Sequence, residues 1–439
     1  MYTVDEVKAP GKSVVSGPFG SNIGSRFFVP DGIPVIRGNN LTAGGNTTFV
    51  DSGFVYLTTE KAREFPNCVA IRGDLVFTAA GTIGQVGIIP ATSKYNEYII
   101  SNKQLRLRLD TSRVNPMFAY YWFSTSAMIS LIQSCNTGST IPLINLSVLK
   151  GLPIPVPDMT MQKAVVEILS CIDGRIEGLQ SENQTLEAIA RTIFKSWFVD
   201  FDPVRAKAEG REPEGMDAPT AALFPNEFQE SELGAIPIGW SVRSVGEISV
   251  SNQGAIGRSY PHSEIQYVDI SSVEPGRITS STLYPLTEAP SRAKRLVADG
   301  NVIWSCVRPN RRSYALVLEP DDNLVVSTGF VTLSATQMPF SFVYMSVTTD
   351  PFVDYLTTRA DGAAYPAVRP DTFENARLVV PSEGIANRFH DLAEPLLRKS
   401  KANSNEAKTL AALRDTLLPR LISGKLRMPE AEKMVEAVL

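Results

Sequence analysis

The 439-residue chain holds four cysteines and two histidines, and neither type is spaced for metal or nucleophile chemistry. Cys68, Cys135, Cys171 and Cys306 are scattered without a C-x-x-C pair, which reads as buried structural thiols rather than a zinc knuckle or a disulfide framework. His262 and His390 lie far apart with no second ligand beside either, so a metal site or a histidine-centred triad lacks its parts. No G-x-x-x-x-G-K-[ST] loop, no G-x-G-x-x-G after a strand and no Asx-Pro-Pro-aromatic motif of an amino-methyltransferase is present. Glu406-Ala407-Lys408 spells the E-x-K of a nuclease but sits in a helical pattern, where a solvated face is the ordinary use. The sequence therefore assigns no catalytic, cofactor-binding or metal-binding residue.

A different chemistry is better supplied. Arginine suits bidentate contact to guanine or phosphate, and asparagine or glutamine suits adenine edges. Arg37, Asn39 and Asn40 follow the strand pattern Ile33 to Ile36, and Lys103 and Gln104 follow Tyr98 to Ser101. The second half offers Arg258, Arg292, Lys294, Arg295, Arg308, Arg311 and Arg312. Singly, each reads more readily as surface decoration; together, on two similar domains, they point to DNA. Gly81-Thr-Ile-Gly84-Gln-Val-Gly87 can cradle a phosphate on its amides or shape a hairpin turn, and the turn is the commoner use. Its counterpart is the arginine-rich stretch Arg308 to Ser313.

The elements that must position these residues come in duplicate. Gly73-Asp-Leu-Val-Phe77 recurs as Gly300-Asn-Val-Ile-Trp304 at an offset of 227, and Leu152 to Pro157 recurs as Ala376 to Pro381 at 224. The second offset persists without a gap, matching Glu182, Thr185, Leu186, Ala188 and Thr192 to Glu406, Thr409, Leu410, Ala412 and Thr416. Each half is strand-rich, leaves through a proline-rich exit and ends in one long helical pattern. This predicts an α+β fold, a tandem duplication of two α/β domains each followed by a long helix, with the helices pairing as an antiparallel coiled coil of pseudo-twofold symmetry.

Val165, Leu169, Ile172, Ile176, Leu179, Asn183, Leu186, Ala190, Ile193 and Trp197 alternate by four and three, a heptad seam about 55 Å long. Phe389, Ala393, Leu396, Ser400, Asn403, Ala407, Leu410, Arg414, Leu417 and Leu421 form the weaker partner seam. Asp158 or Thr160 caps the first helix and Ser382 the second, with Pro203 and Gly424 closing them. Val166, Ile168, Phe194 and Phe198 lie off the seam; they make either a partner-binding strip or ordinary contact with the domains. The boundaries read as a first domain over 1–157, a central helix over 158–200, an acidic linker over 201–239, a second domain over 240–381, a distal helix over 382–426 and a tail over 427–439.

Net charge is −4, which alone disfavours a nucleic-acid partner. Its distribution points the other way: residues 1–157 carry 13 Lys and Arg against 9 Asp and Glu, whereas 201–232 carry 3 against 8. Hydrophobic residues at 43% and charged residues at 20% are those of an ordinary globular protein. With no apolar run of membrane-spanning length and no leader-like start, a cytoplasmic protein without membrane partners is expected.

Across essentially its whole length the sequence resembles the specificity subunit of type I restriction-modification systems. The resemblance rests on Ser16-Gly-Pro-Phe-Gly-Ser21, Gly81-Thr-Ile-Gly84, Gly138-Ser-Thr-Ile-Pro142 with Leu152-Pro-Ile-Pro155, and Phe194-Lys-Ser-Trp-Phe-Val-Asp-Phe201. Pro203 to Gly210, Leu223-Phe-Pro225, Ser231 to Pro237 with Gly239-Trp240, and Leu418-Pro-Arg-Leu-Ile-Ser-Gly-Lys-Leu426 follow in the same order. It implies two target-recognition domains, each reading half of a split, asymmetric double-stranded DNA sequence, spaced by helices that bind two methyltransferase (modification) subunits. Those partners would carry S-adenosylmethionine and methylate adenine N6, and restriction/translocase subunits would add ATP and Mg; the chain itself would bind no cofactor and catalyse nothing. Met161-Gln162 and Ile385-Ala386 stand where the family commonly has Glu-Gln, and the second half lacks the Gly-x-x-Gly loop. The competing readings are a protein-protein adaptor of tandem domains and a stand-alone DNA methyltransferase or nuclease.

Overall fold

The computed structural model describes residues 1–41, 48–362, 365–422 and 425–437, and of Ser21 the backbone alone. They fall into two compact units, Met1–Ser181 with Asn403–Leu439, and Glu182–Ala402. In the first unit eight strands form two sheets: β1 (Val14–Ser16), β2 (Ile33–Ile36), β3 (Val55–Leu57), β4 (Val69–Ala70), β5 (Leu75–Thr78), β6 (Val86–Ile88), β7 (Tyr98–Ile100) and β8 (Gln104–Leu107). One sheet is ordered β1-β8-β5-β6 and the other β3-β2-β7-β4. β2 runs parallel to β7, Val35 opposite Ile99, while β5 runs antiparallel to both β6 and β8.

Side-chain alternation decides what each strand face touches. Leu75 and Phe77 of β5 join the core beneath helices Pro116–Phe123 and Ser126–Ser134, whereas Val76 between them joins Val35, Ile36 and Ile99 of the other sheet. A strand covered on both sides needs a continuous apolar run, which is why β5 and β7 read as unbroken hydrophobic stretches.

The second unit repeats this plan. β9 (Ser249–Ser251), β10 (Glu264–Val268), β11 (Thr282–Pro285), β12 (Ala293–Leu296), β13 (Asn301–Ser305), β14 (Tyr314–Val317), β15 (Leu324–Ser327) and β16 (Phe330–Ala335) form sheets β9-β16-β13-β14 and β11-β10-β15-β12. Each strand of the first unit has its counterpart eight places later, including the parallel pair, now β10 with β15. The alternation recurs as well, with Val302 and Trp304 in one core and Ile303 in another. Duplication is thus visible in strand order, which hydrophobic composition alone does not dictate.

Two helices of 40 residues carry the seams, α1 (Met159–Phe198) and α2 (Glu383–Ile422). Within the first unit Ile172, Ile176 and Leu179 share a core with Leu410, Leu417 and Leu421; within the second, Ala190, Phe194 and Trp197 share one with Phe389, Ala393 and Leu397. In the first unit Asp173 meets Arg414 and Arg175 meets Glu406, so the contacting positions advance on one helix as they recede on the other, the mark of antiparallel pairing. Asp158 is the N-cap of α1, its carboxylate accepting from Met161 N–H at 2.9 Å. Gln162 is fully buried and anchors the helix start: its Oε1 accepts from Asn115 N–H at 2.8 Å, and its Nε2 donates to the carbonyls of Arg113 and Pro157 at 3.0 and 2.8 Å. Gly424 lies outside the described residues.

Several expectations change. The segment 201–239 is not a bare linker: it holds helices Asp202–Ala208 and Ala218–Leu223 and the hairpin Phe228–Ser231 with Gly234–Pro237. Phe201, Val204, Phe224, Ile236 and Trp240 sit in the second unit's core, so the acidic groups are the outer face of a packed element. Pro203 opens the first of these helices rather than merely closing α1. The tail contains a helix, Met428–Glu436, whose Ala431 and Val435 are buried in the first unit. Cys171 is exposed on α1, unlike buried Cys68.

The off-seam strip is also corrected. Phe194 and Phe198 are 6% and 5% exposed, with the Phe198 ring 5.2 Å from that of Phe342 and 5.3 Å from that of Phe389. Ile168 is buried in the first unit's core and Val166 packs against it. Val166 and Ile168 hold the helix to the first unit and Phe194 and Phe198 hold it to the second, so these four side chains are packing contacts and do not form an open strip.

Candidate nucleic-acid interface

In the first unit the loops at the ends of β1, β2, β5 and β7 are tied into one edge by backbone hydrogen bonds. Ser101 N–H donates to the Ile36 carbonyl at 3.0 Å, Ala79 to Lys103 at 2.7 Å, Gly17 to Gln104 at 3.0 Å and Gly81 to Pro142 at 2.9 Å. Gly17 is demanded by space, since a Cβ there would lie 1.9 Å from the Ser101 carbonyl oxygen. Gly81 and Gly84 have φ of +96° and +100° and shape the hairpin from β5 to β6.

Arg37, Asn39, Asn40, Lys103 and Gln104 all lie along this edge, but they face different ways. Asn39 and Lys103 are exposed and Arg37 is half-buried, its Nη2 reaching the Gly53 carbonyl at 3.5 Å. Asn40 is fully buried: Nδ2 donates to the carbonyls of Val50 and Ser52, both at 2.9 Å, and Oδ1 accepts from Arg37 N–H at 2.9 Å. Gln104 is 1% exposed and its Oε1 accepts from the Ser101 hydroxyl. The reading of Asn40 and Gln104 as base contacts is therefore corrected: both amides are buried, Asn40 spent on the loop's own backbone and Gln104 bonded to Ser101, and neither reaches a base edge.

The equivalent edge of the second unit is built likewise. Thr328 N–H donates to the Arg292 carbonyl at 2.8 Å, Cys306 to Gly329 at 2.8 Å, Arg308 to Pro366 at 2.7 Å and Ile256 to Lys294 at 2.8 Å. Arg258, Arg292, Lys294 and Arg311 are exposed, whereas Arg308 and Arg312 are half-buried. Arg312 is held by Asp350 at 2.6 Å, so part of its charge is already balanced. Arg308 and Arg312 flank the turn Pro309–Arg311 with φ of 52° and 57°. A left-handed backbone costs a non-glycine residue about 1–2 kcal/mol. Where the first unit uses glycines the second keeps the left-handed turn and accepts that cost for arginine side chains.

Sequence pattern did not single out the apolar residues on these edges. Phe19 is 91% exposed, Ile141 56% and Tyr365 70%. Phe19 and Ile141 stand in stretches that carry the family resemblance, but what they do depends on a fold that turns their glycine- and proline-bounded loops outward.

The hydrogen-bonded chain of the Ser341 hydroxyl, His390 and Glu394, with both contacts 3.0 Å, resembles a hydrolytic triad. Ser341 is fully buried, so no substrate reaches its hydroxyl and the chain is structural. Among the described residues no group of three or more His, Cys, Asp or Glu is placed to hold a metal ion, and no helix is long and apolar enough to cross a membrane.

The family model described as the type I restriction modification DNA specificity domain matches residues 31–188. Among curated proteins, the type I restriction enzyme MjaIX specificity subunit of Methanocaldococcus jannaschii is 24% identical over 87% of this chain and 84% of its own length. The HindI specificity subunit of Haemophilus influenzae is 25% identical over 87% and 94%. Residues 31–188 thus match a type I DNA specificity domain, and the chain as a whole is similar to type I restriction-modification specificity subunits. Recognition of DNA sequence is the role of that family, and its members are non-catalytic subunits of larger enzymes. A solved S subunit of such a system from M. genitalium shares the fold, with a TM-score of 0.52 at 16% identity over 95% of this chain and 94% of that one. The edges described above carry different side chains in the two copies of the scaffold, with Gly81 and Gly84 in one and Arg308 and Arg312 in the other.

Proposed function

We propose that the two sheet-based domains read the two halves of a bipartite, asymmetric DNA target, each through its own loop edge. Two like scaffolds presenting unlike edges support this reading most directly: Gly81 to Gly84 in one position, Arg308 to Arg312 in the other. Arg37, Asn39 and Lys103 serve the first half-site, and Arg258, Arg292, Lys294, Arg308 and Arg311 the second. Some of these groups enter the major groove and others bind phosphates and fix register. The paired helices dock two adenine-N6 methyltransferase subunits, and restriction subunits join that core. S-adenosylmethionine, ATP and Mg are carried by those partners in the cytoplasm, and this chain supplies the address.

The test is a methylation map of cells expressing this chain with its neighbouring methyltransferase, set against the methyltransferase alone. A split, asymmetric adenine motif that appears only with this chain is expected. No new methylation from a purified, stable complex would overturn the reading and favour an adaptor.

A further inference from the structure

We infer that Arg308 and Tyr365 form one reading unit of the second domain, in which the tyrosine ring holds the guanidinium for a bidentate contact to a guanine. This rests on the loop edge being the DNA interface.

The Arg308 guanidinium carbon lies 4.6 Å from the centroid of the Tyr365 ring, and Arg308 N–H bonds the Pro366 carbonyl at 2.7 Å, so the two loops are locked at both backbone and side chain. A planar guanidinium stacked on a ring loses little further freedom when it meets a planar acceptor pair, and guanine O6 and N7 are such a pair in the major groove. Arg308 also keeps a left-handed backbone, φ 52°, where the first domain has Gly81 at φ 96°. Strain of this kind persists where surrounding structure enforces it and clusters at ligand sites. Tyr365 is 70% exposed, far more than a residue kept for packing.

The duplication supplies the contrast. At the repeat offset of 224 Tyr365 corresponds to Ile141, 56% exposed, and Pro366 to Pro142, whose carbonyl accepts from Gly81 N–H at 2.9 Å. The same junction is therefore built in both domains, but the first has neither the arginine nor the ring, and reads no guanine from this position.

The experiment selects bound duplexes, from a pool randomised over both half-sites, with the complex of this chain and its methyltransferase subunits. It compares wild type with Arg308→Gly, Tyr365→Ala and Tyr365→Phe. Glycine suits the left-handed turn, so Arg308→Gly removes the side chain while easing the backbone. The expected result is a guanine at one position of the second half-site, whose discrimination falls about tenfold or more in Arg308→Gly. Tyr365→Ala weakens discrimination at that position alone, Tyr365→Phe keeps it, and the first half-site is unchanged throughout. A second half-site without guanine, or one unchanged by Arg308→Gly, overturns the inference. So does a uniform loss on every sequence with a salt slope shallower by about one, which marks a phosphate contact. Weaker methyltransferase assembly with an unchanged motif overturns it in favour of a protein contact. A wild-type complex that selects no motif overturns the functional reading itself.

Discussion

Arg414 Nη1 lies 2.8 Å from Asp173 Oδ1 across the helix pair of the first unit, with the two side chains only 4% and 14% exposed. Tyr121 donates its hydroxyl to the other carboxylate oxygen at 2.7 Å. At the repeat offset of 224 these positions become Leu397 and Ala190, both buried in the second unit's core. One copy of the scaffold thus fills with an ion pair the position the other fills with apolar side chains. Breaking a buried pair from one side strands a charge and costs about 3–5 kcal/mol, whereas replacing both partners is often neutral. Arg414→Ala is expected to lower the denaturant midpoint strongly, and the double variant Asp173→Leu with Arg414→Ala to recover most of the loss. Equal losses in the single and double variants would show that the pair contributes net stability.

The same carboxyl sets a pH dependence. Burial pushes Asp173 above the usual carboxylate range, against the opposing pull of Arg414 and Tyr121. A carboxyl raised in the folded state contributes most below its unfolded pKa, about 3.9, and loses that contribution as pH rises through the folded value. Asp173→Asn removes this titration, so its stability relative to wild type is expected to increase with pH across the acidic range. Unfolding midpoints collected from pH 4 to 7 check the sign, and a relative decrease would mean that Arg414 outweighs burial.

Duplication, seam and helix start were legible because they are periodic: heptad spacing, a constant offset and Asp158 before an apolar run survive in the sequence as pattern. Side-chain direction within loops was not. Asn40 and Asn39 are adjacent and chemically identical, yet one is buried by the carbonyls of Val50 and Ser52 and the other faces out, a choice made by a loop ten residues away. The 201–239 segment misled for a related reason, since its acids outnumber the few apolar residues, Phe201, Phe224 and Ile236 among them, that fix it to the core. Tyr365 was invisible because an exposed aromatic has no sequence signature apart from the fold that exposes it.

Phe198 separates core from partner surface by measurement. Its ring meets those of Phe194, Phe342, Phe389 and Trp240 with centroids 5.1, 5.2, 5.3 and 5.8 Å away. Phe198→Ala opens a cavity among them and is expected to cost about 3–5 kcal/mol. Thermal unfolding is the check: an unchanged midpoint with impaired methyltransferase binding would restore the partner-strip reading.

Asn40 and Arg311 belong to equivalent edges yet predict opposite phenotypes. Asn40→Ala leaves the carbonyls of Val50 and Ser52 and the Arg37 N–H without their partner, at about 0.5–1.5 kcal/mol for each hydrogen bond lost. It is expected to lower the midpoint while the folded fraction keeps the wild-type motif, because no base contact has been removed. Arg311 is exposed, so Arg311→Ala leaves the midpoint unmoved. Binding should fall about tenfold or more and the second half-site alone should relax, as the loss of one base-reading arginine does. Unfolding midpoints and selected motifs measured together decide the matter: a relaxed first half-site in Asn40→Ala, at unchanged stability, would return that residue to the interface.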